Sequence, residues 1–326
     1  MPIADVGANY GSPIIFLFFG GFVLALALEK VNLHRRIALT IVKLTGTTPE
    51  KVVLGFMLAT AFMSMWISNT ASTVVMLPIA ISVIKLLIDD KDGFTKGDKN
   101  FALSIMLGIA FAANAGGIAT VIGTPPNSVL IGLLENQYNI QISFVTWMSF
   151  GLPFSIIMIA AVYFVLVKWM FPCKGILFSS SANLISEELD KLGEVSKEEK
   201  RVLTIFAITV FLWITRTLIN SIFPELKLSD TIISLIGAVS LFAIPLSLKK
   251  GTFLLEWNDT SKLAWGILLL FGGGLALAKG MASSGLVDLI TQTIAQGNFP
   301  VLLTVSLLIV LMLFMTELMS NVALVA

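Results

Sequence analysis

Hydroxyl and amide side chains gather at two places in an otherwise strongly apolar chain, and an uncharged, oxygen-rich cluster of that kind suits a small hard cation. The first place reads AFMSMWISNTAST over residues 61–73. Ser64 and Ser68 stand four residues apart, on one helix face, and Asn69 adds an amide oxygen just beyond them. Sodium prefers oxygen donors for the reason calcium and magnesium do, and a monovalent ion is served by neutral ligands. A second source of oxygen is GTPPN at residues 123–127, where Pro125 and Pro126 carry no N–H. Carbonyls near Gly123 are thereby left without helical partners and can face a cation. The same tip could hold an anion, because a helix restarting after SNT offers unpaired N–H groups and the positive end of its dipole, with Asn69 and Thr70 as side-chain donors. No Lys or Arg lies near the tip, so a multivalent anion would need co-bound cations to offset its charge. Coupling between the two follows from that need. The competing reading is that these Ser, Asn and Thr side chains only hydrogen-bond neighbouring helices.

The elements that must position such a tip are membrane helices. Hydrophobic residues make up 56% of the chain, charged residues 13%, and the mean hydropathy is +0.94, far from the roughly one-quarter charged residues of soluble domains. The net charge of +1 speaks against a nucleic-acid partner. One Cys (Cys173) and one His (His34) exclude a disulfide framework and a Cys/His metal cluster. The opening MPIADVGANYGS reads as a short polar lead into an apolar helix. Runs long enough to cross a bilayer lie at about 13–28, 101–134, 144–171, 201–223, 230–248 and 262–280. The run 52–88, interrupted by SNTAST and flanked by Lys51 and Lys85, reads as a re-entrant hairpin of two half-length helices; one long tilted helix with a polar notch is the alternative. With a returning hairpin, all of the 21 Lys and Arg except Arg216, Lys227 and Lys279 fall on one side. The excess of basic residues marks that side as cytoplasmic. The segment NLISEELDKLGEVSKEEKR, 183–201, is then a solvated or interfacial helix between two halves.

The second cluster repeats the first. FMSMWISNTA at 62–71 matches FMTELMSNVA at 314–323, and Gly20-Gly21 match Gly272-Gly273, both at a shift of 252 residues. The repeat supplies Thr316, the Met319 carbonyl and Asn321 as a second cation set. Glu317 is a carboxylate beside it, read as a structural acceptor or a proton-sensitive site. An odd number of spans separates the two Gly-Gly helices, so the second copy enters from the opposite face. Inverted repeats with broken helices are a mark of secondary transporters. The expected architecture is therefore an all-α polytopic membrane protein with an inverted-topology repeat, re-entrant hairpins and broken helices. The first repeat covers 1–182 (hairpin 52–88, broken helix 101–134, span 144–171), the linker 183–200, and the second repeat 201–326. Because the segment after the first hairpin has its match near residue 375, the expectation is a chain truncated at both ends.

SNTAST, GGIATVIGTPPN, FGGFVLALALEKVNLHRRIAL, EELDKLGEVSKEEK and TELMSNVA resemble the divalent anion/sodium symporters over nearly the whole chain. Bacterial members carry succinate, fumarate and malate, and animal relatives citrate, other dicarboxylates or sulfate. The resemblance implies a sodium-coupled transporter of the bacterial cell membrane rather than an enzyme. It also implies a homodimer of eleven-helix protomers, each with a scaffold domain and a transport domain that moves as an elevator. Carried over, Ser64, Ser68, Asn69 and Gly123 bind one sodium, and Thr316, Met319 and Asn321 another. Asn69, Thr70, Thr124, Ser320 and Asn321 touch the anionic substrate. Val322 departs from the pattern, standing where the family usually has threonine. The lost hydroxyl removes a hydrogen bond worth about 0.5–1.5 kcal/mol, which puts the dicarboxylate preference in doubt against sulfate, citrate or another oxyanion. A non-transporting scaffold or an intramembrane enzyme is the rival from another class, and it finds no catalytic pair.

Overall fold

Helices that are apolar on every side have no solvated face and must be buried or face lipid, and most of the long helices of this chain are of that kind, with Ile3–Tyr10, Leu33–Thr45 and Ser181–Asp190 the amphipathic exceptions. A computed structural model describes residues 2–46, 48–88, 95–173, 181–247, 252–285, 292 and 300–316. In chain order the helices are α1 (Ile3–Tyr10), α2 (Pro13–Lys30), α3 (Leu33–Thr45), α4 (Pro49–Ser64), α5 (Asn69–Ile88), α6 (Lys96–Ile118) and α7 (Pro125–Tyr138). There follow α8 (Phe144–Tyr163), continued as a π-helix through Phe164–Met170, then α9 (Ser181–Asp190), α10 (Lys197–Ile222), α11 (Asp230–Ala243), α12 (Trp265–Ser283) and α13 (Val301–Met315). A two-stranded ribbon, β1 (Pro245–Ser247) and β2 (Thr252–Phe253), is antiparallel. Four described stretches are long and apolar enough to cross a membrane: Ile3–Lys30, Lys96–Ile118, Phe144–Met170 and Lys197–Ile222. The protein is an all-α polytopic membrane protein.

The chain divides into two compact units, one of residues 20–124 and 143–263, the other of 1–19, 125–142 and 264–326. The larger unit is organised around α4 and α6. Their backbones meet at Gly116, where a Cβ would fall 2.5 Å from Ala61 Cα, so glycine is required for the close approach. Val52, Val53, Phe56, Met57, Ile105, Ile109 and Ala112 fill the seam with almost no exposed surface.

The chain direction at the break is fixed by contacts at the two ends of α8 and its π-helical extension. α4 begins near their C-terminal end, where Glu50 pairs with Lys168 at 2.6 Å. α6 begins there too, with Asn100 and Ser104 donating to the carbonyls of Pro172 and Phe171. Both end near the start of α8: Trp147 Nε1 donates to Ile118 O at 2.9 Å, and the Trp66 and Phe144 rings lie 6.3 Å apart. α5 starts beside the end of α6 and must rejoin its beginning at Lys96, eight residues after Ile88 and therefore within about 29 Å. It runs back antiparallel to both, as the hairpin reading requires. The two arms are longer than half-spans, however: 16 residues in α4 and 20 in α5, about 24 and 30 Å.

Ion pairs follow the side assignment made from the sequence. Lys30–Asp259, Arg35–Glu188, Arg36–Glu199, Lys168–Glu50 and Lys191–Glu188 join residues of the basic side, and Arg216–Asp230 joins two of the other. No described ion pair joins the two sides. The linker differs from a continuous solvated helix. α9 stops at Asp190, Gly193 takes a positive φ of 67°, and Ser196 with Glu199 forms a capping box that opens α10. The segment is docked on α3, because Ile185 is buried and Arg36 donates both to Glu199 and to the carbonyls of Leu192, Gly193 and Glu194.

In the smaller unit the polar lead forms a helix of its own, α1, packed on α12. Gly272 gives room for the Tyr10 ring, and Phe18 stacks on Phe271 with centroids 4.9 Å apart. α13 has no buried residue. Shifting α2 by 252 residues gives 265–282 and shifting α4 gives 301–316, each within one residue of α12 (Trp265–Ser283) and α13 (Val301–Met315).

Candidate functional site

Two helix breaks meet in the larger unit. α4 leaves helical geometry after Ser64, and α5 restarts at Asn69 with Ser68 as its cap: Ser68 Oγ accepts from Ala71 N at 3.2 Å and Ser68 O from Ser72 N at 2.9 Å. α6 ends at Ile118, and residues 119–124 are non-helical up to Pro125, which starts α7. Carbonyls freed at these breaks need partners away from water. Trp147 satisfies Ile118 O, and the Thr120 hydroxyl donates to Met65 O, tying one break to the other.

Oxygen atoms converge between them. The Ser64 hydroxyl, fully buried, donates to Asn69 Oδ1 at 2.7 Å, and Asn69 Nδ2 donates to Asn114 Oδ1 at 3.0 Å. A Cβ on Gly117 would fall 2.5 Å from Asn69 Oδ1, and one on Gly123 would fall 2.5 Å from Gly117 O and 2.9 Å from Ser64 O. Two glycines thus hold open a small space faced by two carbonyls and flanked by the side-chain oxygens of Ser64 and Asn69. None of these groups is charged. The donor set fits a monovalent hard cation, towards which Ser64 would turn a lone pair once its proton points elsewhere.

Ser64, Asn69 and Gly123 are brought together as the sequence suggested. Ser68 is exposed, its hydroxyl engaged as the α5 cap, and Thr70 is exposed in the first turn of α5. Thr124 is half-buried immediately before Pro125. Thr316 caps α13, half-buried, and its hydroxyl donates to Leu313 O at 2.8 Å. Met319, Ser320, Asn321, Val322 and Glu317 lie outside the described residues. Sequence reasoning missed Asn114 and the roles of Gly117 and Thr120. The available signal was an amide inside the apolar run FAANAGG, three residues before the glycine that faces Asn69.

A family model described as the sodium:sulfate symporter transmembrane region matches residues 2–326. The chain belongs to this family. Among its relatives is a sodium-dependent dicarboxylate transporter of Staphylococcus saprophyticus, 39% identical over 325 residues, covering 98% of this chain and 62% of the relative. A sodium-dependent dicarboxylate transporter of Staphylococcus aureus (strain USA300) is 39% identical over 307 residues, covering 92% of this chain and 59% of the relative. The chain spans about three fifths of the length of the curated relatives it matches.

Proposed function

We propose that this chain carries the ion- and anion-binding core of a secondary transporter of the cell membrane, of bacterial inner-membrane type, that couples sodium entry to uptake of a C4-dicarboxylate such as succinate. The observation that carries the reading is the uncharged oxygen cluster where the two helix breaks meet. Ser64, Asn69 and the carbonyls facing Gly117 and Gly123 take the first sodium, with Ser68 at its rim. Thr316, Met319 and Asn321 take a second. The anion lies against the tips, held by Asn69, Thr70, Thr124, Ser320 and Asn321. The start of α5 contributes its N–H groups. With no Lys or Arg near these residues in sequence, the sodium ions supply the positive charge that makes anion binding favourable, so the two solutes move together. The transporter works as a homodimer with an elevator motion of the binding core. The family match and the names of its relatives support the sodium-coupled part of this reading.

A second reading, a sulfate or other oxyanion as substrate, is favoured by one residue. Val322 cannot donate the hydrogen bond that the hydroxyl of Thr70 offers at the matching position of the first copy. Uptake of labelled succinate by the intact protein in proteoliposomes, with an inward sodium gradient or potassium in its place, separates these. Sodium-dependent uptake that unlabelled dicarboxylates suppress and sulfate does not is the expected result. Suppression by sulfate alone would move the substrate to the second reading, and Val322→Thr is then expected to restore dicarboxylate competition by about two- to tenfold, one hydrogen bond's worth.

A further inference from the structure

The described residues hold three buried side-chain atoms with no hydrogen-bond partner: Trp66 Nε1, Ser72 Oγ and Asp230 Oδ1. Asp230 Oδ1 is answered by Arg216 at 3.3 Å. The indole N–H of Trp66 is a donor and cannot coordinate a cation. Ser72 Oγ is different, because a hydroxyl keeps two lone pairs and this one is fully buried.

Its neighbours show how such a hydroxyl is normally satisfied. Thr73 and Ser82 in α5 and Thr60 in α4 each donate to the carbonyl four residues back, at 2.8, 2.9 and 2.6 Å. Ser72 sits in the same helix, with the Ser68 carbonyl available in the same register, and does not do so. It lies on the buried stripe of α5 formed by Ser72, Met76, Ile79, Ala80 and Val83. That stripe belongs to the core shared with α4 and α6. Asn69 stands one turn before it on the same helix face, and helical side chains lean back over the preceding turn. The hydroxyl is thus directed beneath Asn69, toward the seam that Ser64 and Gly117 line.

We infer that Ser72 supplies a further oxygen to the shell of the cation held between Ser64, Asn69 and Gly123, a role that rests on the sodium reading above. An unpaired buried hydroxyl is a cost to the empty protein, and a bound ion offsets it. Removing the hydroxyl should therefore leave the empty protein no less stable while weakening its hold on sodium, whereas a structural hydroxyl would behave the opposite way.

The test is a sodium titration of thermal stability for the purified intact protein, in choline-balanced buffer, for the wild type, Ser72→Ala and the back-bonded control Ser82→Ala. Ser72→Ala is expected to melt at or above the wild-type temperature without sodium and to need about three- to tenfold more sodium for half of the stabilisation, with Ser82→Ala unchanged in its sodium midpoint. A wild-type response with an unchanged midpoint in Ser72→Ala, or a lower melting point of that variant without sodium, overturns the role of Ser72 alone. No sodium response in the wild type overturns the sodium reading and this assignment with it.

Discussion

α4 and α13 carry the two copies of one sequence pattern and end at equivalent hydroxyl residues, Ser64 and Thr316, and among the described residues the two hydroxyls have different partners. α4 buries Val52, Val53, Phe56, Met57, Ala59, Thr60, Ala61, Met63 and Ser64, and α6 crosses it at Gly116. The Ser64 hydroxyl reaches across the break to Asn69, and the Thr316 hydroxyl donates to the Leu313 carbonyl of its own helix. At the first break it is the crossing of α6 on α4, with glycines at the contact, that brings the oxygens of Ser64, Asn69 and Asn114 together.

Breaking the crossing is the most severe test of that contrast. Gly116→Ala drives a methyl into the Ala61 backbone and should cost more than the roughly 1–3 kcal/mol of ordinary overpacking. Gly266→Ala in α12 meets nothing within 4 Å and should be neutral or stabilising by up to about 1 kcal/mol. Thermal unfolding of both variants in one detergent measures the difference directly.

The next largest effect sharpens the comparison through charges. Arg36 and Glu199 are nearly buried, with 14% and 5% of their side chains exposed, whereas Lys168 and Glu50 are 45% and 39% exposed. Arg36→Ala strands a carboxylate and three carbonyls and should destabilise by about 3 kcal/mol. Lys168→Ala should cost under about 1 kcal/mol, and salt should reduce only the second effect.

The smallest effect is on pH. The hydrogen bond from Lys191 holds the Glu188 carboxyl below the usual carboxylate range, with Arg35 adding to it against the opposing effect of burial. The unfolded chain then binds the proton more tightly than the folded one. The stabilisation is fully present above the unfolded pKa of about 4.3 and is lost as pH falls through the lower folded value. Glu188→Gln should lie below the wild type in melting temperature near neutral pH, and the gap should close under acid conditions.

Much of this was legible in residues. Lys51 and Lys85 flanking SNTAST implied a returning hairpin, and Pro125-Pro126 implied the second break. The apolar runs at 262–280 and 301–326 located α12 (Trp265–Ser283) and the start of α13 (Val301–Met315) without giving their other ends, because an apolar run does not mark its own cap. Asn114 was not legible: helical periodicity places it on α6 without saying which helix it faces, and its meeting with Asn69 depends on the α4–α6 crossing that Gly116 permits. The arms of the hairpin exceeded half-spans because nothing in an apolar run states its depth. The linker looked solvated from its charges, and only the fold paired Arg35 and Arg36 with Glu188 and Glu199.

The central claim is that the first tip binds the coupling ion through neutral oxygens. Sodium-driven uptake by the intact protein in proteoliposomes, compared between the wild type and Asn69→Ala at equal incorporation, tests it most directly. The account predicts uptake that depends on sodium in the wild type and is lost in the variant. Uptake that persists in Asn69→Ala with the same sodium dependence would contradict it.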